Sequence, residues 1–228
     1  MRIGGLIKFS LIDYPGKVAA TIFTQGCNYR CPYCHNADLV LSERFQRPIP
    51  EAEVLAFLQK RRGKLKAVVM TGGEPTLQAD LPSFLAKIKD MDYQVKLDTN
   101  GSSPDVLKGL LNAGLLDYIA MDVKAPLLKY NVLTGVKADV AAVRQSMAII
   151  AGSRVAHEFR TTAVKPLLSY EDIRQLFHLV PAASVYKLQE FVPRGNTVDG
   201  RYAHAGEDHY SWRELQDLQA SRQAQSVT

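Results

Sequence analysis

Outside one short stretch the chain has no cysteine: Cys27, Cys31 and Cys34 are the only three in 228 residues. Three thiols cannot all pair, and nothing else suggests an oxidising compartment, so a disulfide-stapled framework is excluded. The N-terminus, Met1-Arg2-Ile3-Gly4-Gly5-Leu6-Ile7-Lys8, lacks the long apolar core of a signal peptide, and no apolar run elsewhere is long enough to cross a bilayer. A cytoplasmic protein without a membrane partner is the expectation. Also missing is any Pro/Ser/Gly linker or low-complexity run, which points to a single domain over residues 1–205. The polar tail over 206–228 is expected to form a short surface helix around 212–218, with a frayed end and with His204 and His209 solvated nearby. Positive charge is only in mild excess, +5 with a pI near 9.0. Its densest run, Lys60-Arg61-Arg62-Gly63-Lys64-Leu65-Lys66, has no interleaved aromatics. It therefore reads as a helix C-terminus, where cations suit the macrodipole, and no nucleic-acid partner is expected.

What the chain does have is regular alternation of apolar, β-branched runs with amphipathic stretches. Strands are expected over 18–24, 67–71, 93–99, 118–123, 158–164 and 187–192, and helices over 50–60, 80–89, 103–113, 138–151 and 170–179. Such alternation specifies βαβ units and a parallel sheet. The α/β fold class leaves two architectures open, a doubly wound sheet or an incomplete (β/α)6 barrel, which periodicity alone does not separate. In both, chemistry belongs at the C-terminal ends of the strands. Four motifs fall there: the cysteine loop, Thr71-Gly72-Gly73-Glu74-Pro75, Asp98-Thr99-Asn100-Gly101 and Asp122-Val123-Lys124.

Three thiolates with no fourth suit a cubane iron–sulfur cluster whose remaining iron is open to a ligand, or a metal with one free position. Three buried structural cysteines are the plain alternative, but core cysteines have no reason to gather as Cys-x3-Cys-x2-Cys beside Gly26 and Pro32. Glycines at Gly72 and Gly73 suit a backbone that something approaches closely. Asp122 and Lys124 lie two apart on a strand and share a face, and two charges facing inward call for a polar ligand or ion, or form a structural Asp–Lys network that caps the sheet. Arg160 can fork onto a carboxylate.

Tyr33-Cys34 closing the cysteine motif, with Gly-Gly-Glu-Pro after the next strand, resembles the radical S-adenosylmethionine superfamily. Ser10-Leu11-Ile12-Asp13-Tyr14-Pro15-Gly16-Lys17, Phe23-Thr24-Gln25-Gly26-Cys27 and Tyr33-Cys34-His35-Asn36 narrow the likeness to the activating proteins of anaerobic ribonucleoside-triphosphate reductase, within the glycyl-radical activases. The likeness runs from about residue 4 to about residue 193. It implies an incomplete (β/α)6 barrel. It also implies a 4Fe-4S cluster on Cys27, Cys31 and Cys34, with S-adenosylmethionine chelating the fourth iron and being cleaved to a 5′-deoxyadenosyl radical.

By the same resemblance, Gly72, Gly73 and Glu74 bind the methionine amino group, Glu74 through its side chain. Asp98 and Asn100 lie near ribose and carboxylate, and Asp98 and Asp122 hold a monovalent cation. Lys124 approaches the carboxylate or ribose, and Arg160 either forks onto the carboxylate or faces outward as a surface residue. Tyr33 presents its backbone and ring to adenine and His35 shapes the loop, while from its strand Gln189 either reaches the adenosyl group or faces outward as a surface residue. The implied partners are a glycyl-radical enzyme and an electron donor such as flavodoxin or ferredoxin. With no cysteine after Cys34, auxiliary clusters are excluded. Two other readings stand beside this one: a small-molecule enzyme like 7-carboxy-7-deazaguanine synthase, and a non-catalytic metal-binding protein.

Overall fold

The computed structural model describes residues 1–193, 195–204 and 209–225. One sheet takes its strands in chain order: β1 (Ile3–Ser10), β2 (Ala19–Thr24), β3 (Ala67–Gly72), β4 (Gln94–Thr99), β5 (Tyr118–Asp122), β6 (Ala156–Ala163) and β7 (Val185–Glu190). β1 runs antiparallel to β2, and every later pair is parallel. The helices are α1 (Ala37–Val40), α2 (Glu51–Arg61), α3 (Leu81–Lys89), α4 (Pro104–Asn112), α5 (Tyr130–Thr134), α6 (Val140–Ala151), α7 (Tyr170–Leu179) and α8 (Trp212–Gln225). Among the described residues β1 and β7 do not pair, so the sheet is an open barrel rather than a closed one.

Strand alternation explains how the two faces differ. On β4, Val95 and Leu97 are fully buried in the main core while Lys96 and Asp98 point the other way. On β6, Phe159 does the same against Glu158 and Arg160. The outer face packs Val68, Met70, Ile119 and Met121 against Leu58 of α2, Phe84 of α3, Leu107 of α4, Met147 of α6 and Leu176 of α7. Each such side chain contributes about 1.5–3 kcal/mol on burial. The helices start where the sequence says they can: Pro104 opens α4, Asp139 caps α6 and Ser169 with Asp172 forms a capping box on α7.

Four elements depart from expectation: the short helices α1 and α5 fall where none was expected, and β1 and α8 differ more substantially. β1 is an additional strand over a stretch that Gly4, Gly5 and Lys8 disguise, and it lies antiparallel on the edge of the sheet. α8 is longer than a 212–218 surface helix and it docks. Leu215 is buried, and the Gln219 side chain accepts from Leu188 N–H (3.3 Å) and donates to the Tyr186 carbonyl (2.8 Å). That amide pairs with the free edge of β7 as a neighbouring strand would.

Candidate functional site

At the C-terminal ends of the parallel strands the loops enclose a cavity of about 350 Å³, within the usual range for ligand sites, roughly 300–1,000 Å³. The loop after β2 brings Cys27, Cys31 and Cys34 to its wall as free thiols. Backbone contacts hold that loop in shape. Arg30 Nη1 donates to the carbonyls of Cys27 (2.7 Å) and Tyr29 (2.8 Å), and the N–H groups of Val198 and Asp199 reach the carbonyls of Cys34 (3.2 Å) and Pro32 (2.9 Å). The His35 ring stacks on Phe191 with centroids 5.1 Å apart, consistent with a loop-shaping part. Burial pushes the Cys27 thiol up to about 11 and Cys31 up to about 12, and raises Cys34 as well. The thiols of the metal-free protein are therefore neutral, and metal binding must release their protons.

The Gly72–Gly73 step is dictated by the chain beside it. Gly72 has φ +113°, and a Cβ there would lie 2.4 Å from the Thr24 nitrogen; at Gly73 it would lie 2.0 Å from the Gly26 carbonyl oxygen. The close approach is thus made by the protein's own backbone, and Gly73 N–H and Glu74 N–H donate to Thr24 and Gly26 (both 2.8 Å). Glu74 is 0% exposed and its carboxylate is held by four donors from the chain. Oε1 accepts from Thr76 N–H (3.1 Å), Thr76 Oγ1 (2.6 Å) and Thr99 Oγ1 (2.8 Å), and Oε2 accepts from Asn100 N–H (2.7 Å). Burial raises its pKa and those donors oppose the rise. Glu74 therefore staples the loop after β3 to the loop after β4, while still lining the cavity where its side chain was expected to help hold a ligand. Asn100 is likewise engaged: its amide donates to Asn28 Oδ1 (2.9 Å), and its Oδ1 accepts from Ser102 N–H (2.9 Å).

Between these loops runs a ladder of alternating charge. Lys96 Nζ donates to Asp98 Oδ1 (2.6 Å), and Arg160 donates through Nη1 to Asp98 Oδ2 (3.3 Å) and through Nε to Asp122 Oδ1 (3.0 Å). Lys124 Nζ completes it on Asp122 Oδ2 (3.0 Å). Asp122 and Arg160 are register partners on β5 and β6, and Ala120, opposite Asp98, leaves the space through which the guanidinium crosses β5. Burial pushes the Asp122 carboxyl up, but the Arg160 and Lys124 charges outweigh it and hold it at about 2. For Lys124 and Arg160, burial pulls downward and Asp122 more than reverses it, so both stay cationic. Within the ladder three cations share two carboxylates, and the cavity wall itself sets Lys124 and Arg160 beside Asp98, Asp122 and Glu74. The expected monovalent cation between Asp98 and Asp122 meets an occupant there, the guanidinium itself.

Of the expected site residues, Tyr33, Gly72, Gly73, Glu74, Asp98, Asn100, Asp122, Lys124 and Arg160 line the cavity with the cysteines, and Gln189 does not. Gln189 lies beside Thr162 on β7, the last strand, so with no further strand beyond it its side chain is exposed; Thr162 reaches the cavity instead. Tyr29, Val40 and Phe191 are among the wall residues that were not expected. Phe191 carries a weak signal, an aromatic just past a strand's C-terminal end. Tyr29 carries none, since one tyrosine between two cysteines shows no period. Phe191 also borders a second cavity of about 490 Å³, on which the exposed His204 and His209 lie.

Three free thiols on one loop, facing a wall that carries the cationic Lys124 and Arg160, suit a thiolate-held iron–sulfur cluster and a carboxylate-bearing ligand. The comparisons agree. Residues 21–180 match the family model described as the Radical SAM superfamily. A Methanocaldococcus jannaschii protein provisionally named a glycyl-radical enzyme activating enzyme is 35% identical over 198 residues, 84% of this chain and 80% of that protein. The 7-carboxy-7-deazaguanine synthase of Methanopyrus kandleri is 30% identical over 132 residues, 50% of this chain and 52% of that one. A structure of TYW1 with a lysine-pyruvate adduct bound shares the fold, with a TM-score of 0.66 at 16% identity over 90% of this chain and 73% of the other. A fold, a thiol triad and a family match that coincide on the same strands and loops leave one assignment: the chain belongs to the radical S-adenosylmethionine superfamily, whose members use a 4Fe-4S cluster and S-adenosylmethionine.

Proposed function

We propose that this protein is a glycyl-radical activase, whose expected partner is anaerobic ribonucleoside-triphosphate reductase. The observation that carries this reading is the span of the likeness. The activating-enzyme relative is matched over 80% of its length, whereas the deazaguanine synthase is matched over only 52% of its own. Bound cluster and S-adenosylmethionine supply one electron to the sulfonium and a 5′-deoxyadenosyl radical able to take hydrogen from a backbone glycine.

The chain's own residues do the rest. Cys27, Cys31 and Cys34 hold three irons. Backbone carbonyls around Gly72 and Gly73 accept from the methionine amino group, with Glu74 fixing the loop from behind. Lys124 and Arg160 hold the methionine carboxylate, orienting it with charge-assisted bonds. Tyr33 and Phe191, packed edge-to-face at 6.1 Å, wall the site and exclude water. A monovalent cation can sit between Asp98 and Asp122 only once Arg160 has turned to the ligand carboxylate, so cation and ligand binding are coupled. The open mouth at the C-terminal ends of the strands, where the cavity lies, gives a flexible partner loop a way in. A flavodoxin or ferredoxin is the proposed electron donor, and the free thiols suit a cytoplasmic setting.

The test is electron paramagnetic resonance on reduced, cluster-loaded protein mixed with S-adenosylmethionine and a reductase from the same cell. A glycyl doublet on the partner supports the reading. Turnover of a purified small molecule, with no radical on any glycyl-radical partner, replaces it with the deazaguanine-synthase-like alternative. No formation of 5′-deoxyadenosine under dithionite removes both.

A further inference from the structure

Lys96 is the one charged residue of the ladder that does not line the cavity. Its side chain is 3% exposed, whereas the other lysines in ion pairs among the described residues keep 17% or more. Its register partners are Val69 on β3 and Tyr118 on β5, which belong to a small apolar cluster with Tyr14, Ala19 and Ala67. Among the described residues one carboxylate pairs with it, through Asp98 Oδ1 at 2.6 Å.

A buried ammonium is costly, and an unbranched apolar side chain such as methionine would fill the same place without that cost. What the lysine supplies is a fixed charge behind Asp98. The Asp98 carboxylate, which lines the cavity, has two partners: Lys96 on Oδ1 from outside the cavity wall, and Arg160 on Oδ2 at 3.3 Å from within it. Once Arg160 turns to a ligand carboxylate, Lys96 is the partner that stays, because it has no other carboxylate to pair with among the described residues. A monovalent cation between Asp98 and Asp122 has one task at Asp98, to neutralise a carboxylate that faces a second one. A group of the chain already performs it.

We propose that Lys96 is a positioning residue that serves as the built-in counter-cation of Asp98, so that the site admits an alkali ion without needing one to bind S-adenosylmethionine. Lys96 acts through Asp98 and touches no ligand itself. This inference rests on the superfamily assignment alone and stands whether the radical acceptor is a glycine or a small molecule. Its readout is binding, which separates its failure from that of the radical test.

The experiment is calorimetric titration of S-adenosylmethionine into cluster-loaded, unreduced wild type, Lys96→Met, Asp98→Asn and the double variant. Each is measured in choline, sodium and potassium chloride at equal ionic strength. Lys89→Met, which breaks the pair with Asp117 away from the cavity, is the control. Wild type and control should bind equally in all three salts. Lys96→Met should bind roughly tenfold more weakly in choline chloride and recover in an alkali chloride. Adding Lys96→Met to Asp98→Asn should cost nothing further, since the lysine then has no carboxylate to hold. Where Lys96→Met loads iron poorly, the double variant, which leaves no lone charge of this pair, carries the comparison with Asp98→Asn. A wild type that itself needs sodium or potassium overturns the proposal. So does a Lys96→Met variant whose affinity matches wild type, or falls without recovery in either alkali salt, because the lysine is then a structural support. A double variant weaker than Asp98→Asn overturns it as well.

Discussion

Gly73 is the most constrained residue of the cavity wall. Alanine there would bring its Cβ to 2.0 Å from the Gly26 oxygen, and that oxygen belongs to backbone that accepts Glu74 N–H and cannot yield cheaply. Gly73→Ala should lose about 2–3 kcal/mol in urea unfolding and load iron poorly, since the displaced segment leads into Cys27. The ladder makes a second demand at this scale. Asp122→Asn leaves Arg160 and Lys124 facing each other without their shared carboxylate, at a cost of roughly 3 kcal/mol. The sign of its pH dependence follows from the depressed pKa. The native Asp122 titrates at about 2 against about 3.9 in an unfolded chain. Its contribution is therefore complete above about pH 4 and is lost as pH falls towards 2. Acid unfolding of the Asp122→Asn variant should be flatter than wild type across that window. Asp98, Asp122, Lys124 and Arg160 can be read from the sequence because charges inside apolar strand runs need an explanation. Their pairing cannot, because Arg160 reaches Asp98 across the small Ala120 on a strand remote in sequence.

Among elements, the edges of the sheet are the least predictable part. β7 ends the parallel run with one side unpaired, and α8 covers it through the Gln219 amide and the buried Leu215. Leu215→Ala should cost about 2–4 kcal/mol by leaving a cavity under α8. Gln219→Ala should cost about 1–2 kcal/mol by stripping partners from the Leu188 N–H and the Tyr186 carbonyl. Hydrogen exchange should report the second change locally, as faster exchange at Leu188 with slow exchange retained in β4 and β5. The helix reads as a polar tail because its mean composition is polar. Its docking depends on two side chains that meet a strand edge, which composition does not record. β1 escapes notice for a related reason: its value lies in pairing with β2, while Gly4, Gly5 and Lys8 mask the period.

At the scale of the molecule, three thiols and no others bound the metal content. Loaded protein should contain about four irons per chain, and Cys31→Ser should lose most of the iron and stop 5′-deoxyadenosine formation while keeping the far-UV circular dichroism of the wild type. No helix of the described residues is long and apolar enough to cross a membrane. The order of strands and helices, the thiol motif and the family follow from the sequence, because periodicity and spacing are local properties of a chain. Tertiary structure alone decides that the sheet stays open, that Glu74 is braced by Thr99 and Asn100, and that Gln189 lies outside the cavity wall. Those outcomes turn on which side chains from distant strands meet, and burial and hydrogen-bond partners exist only once the chain has closed around them.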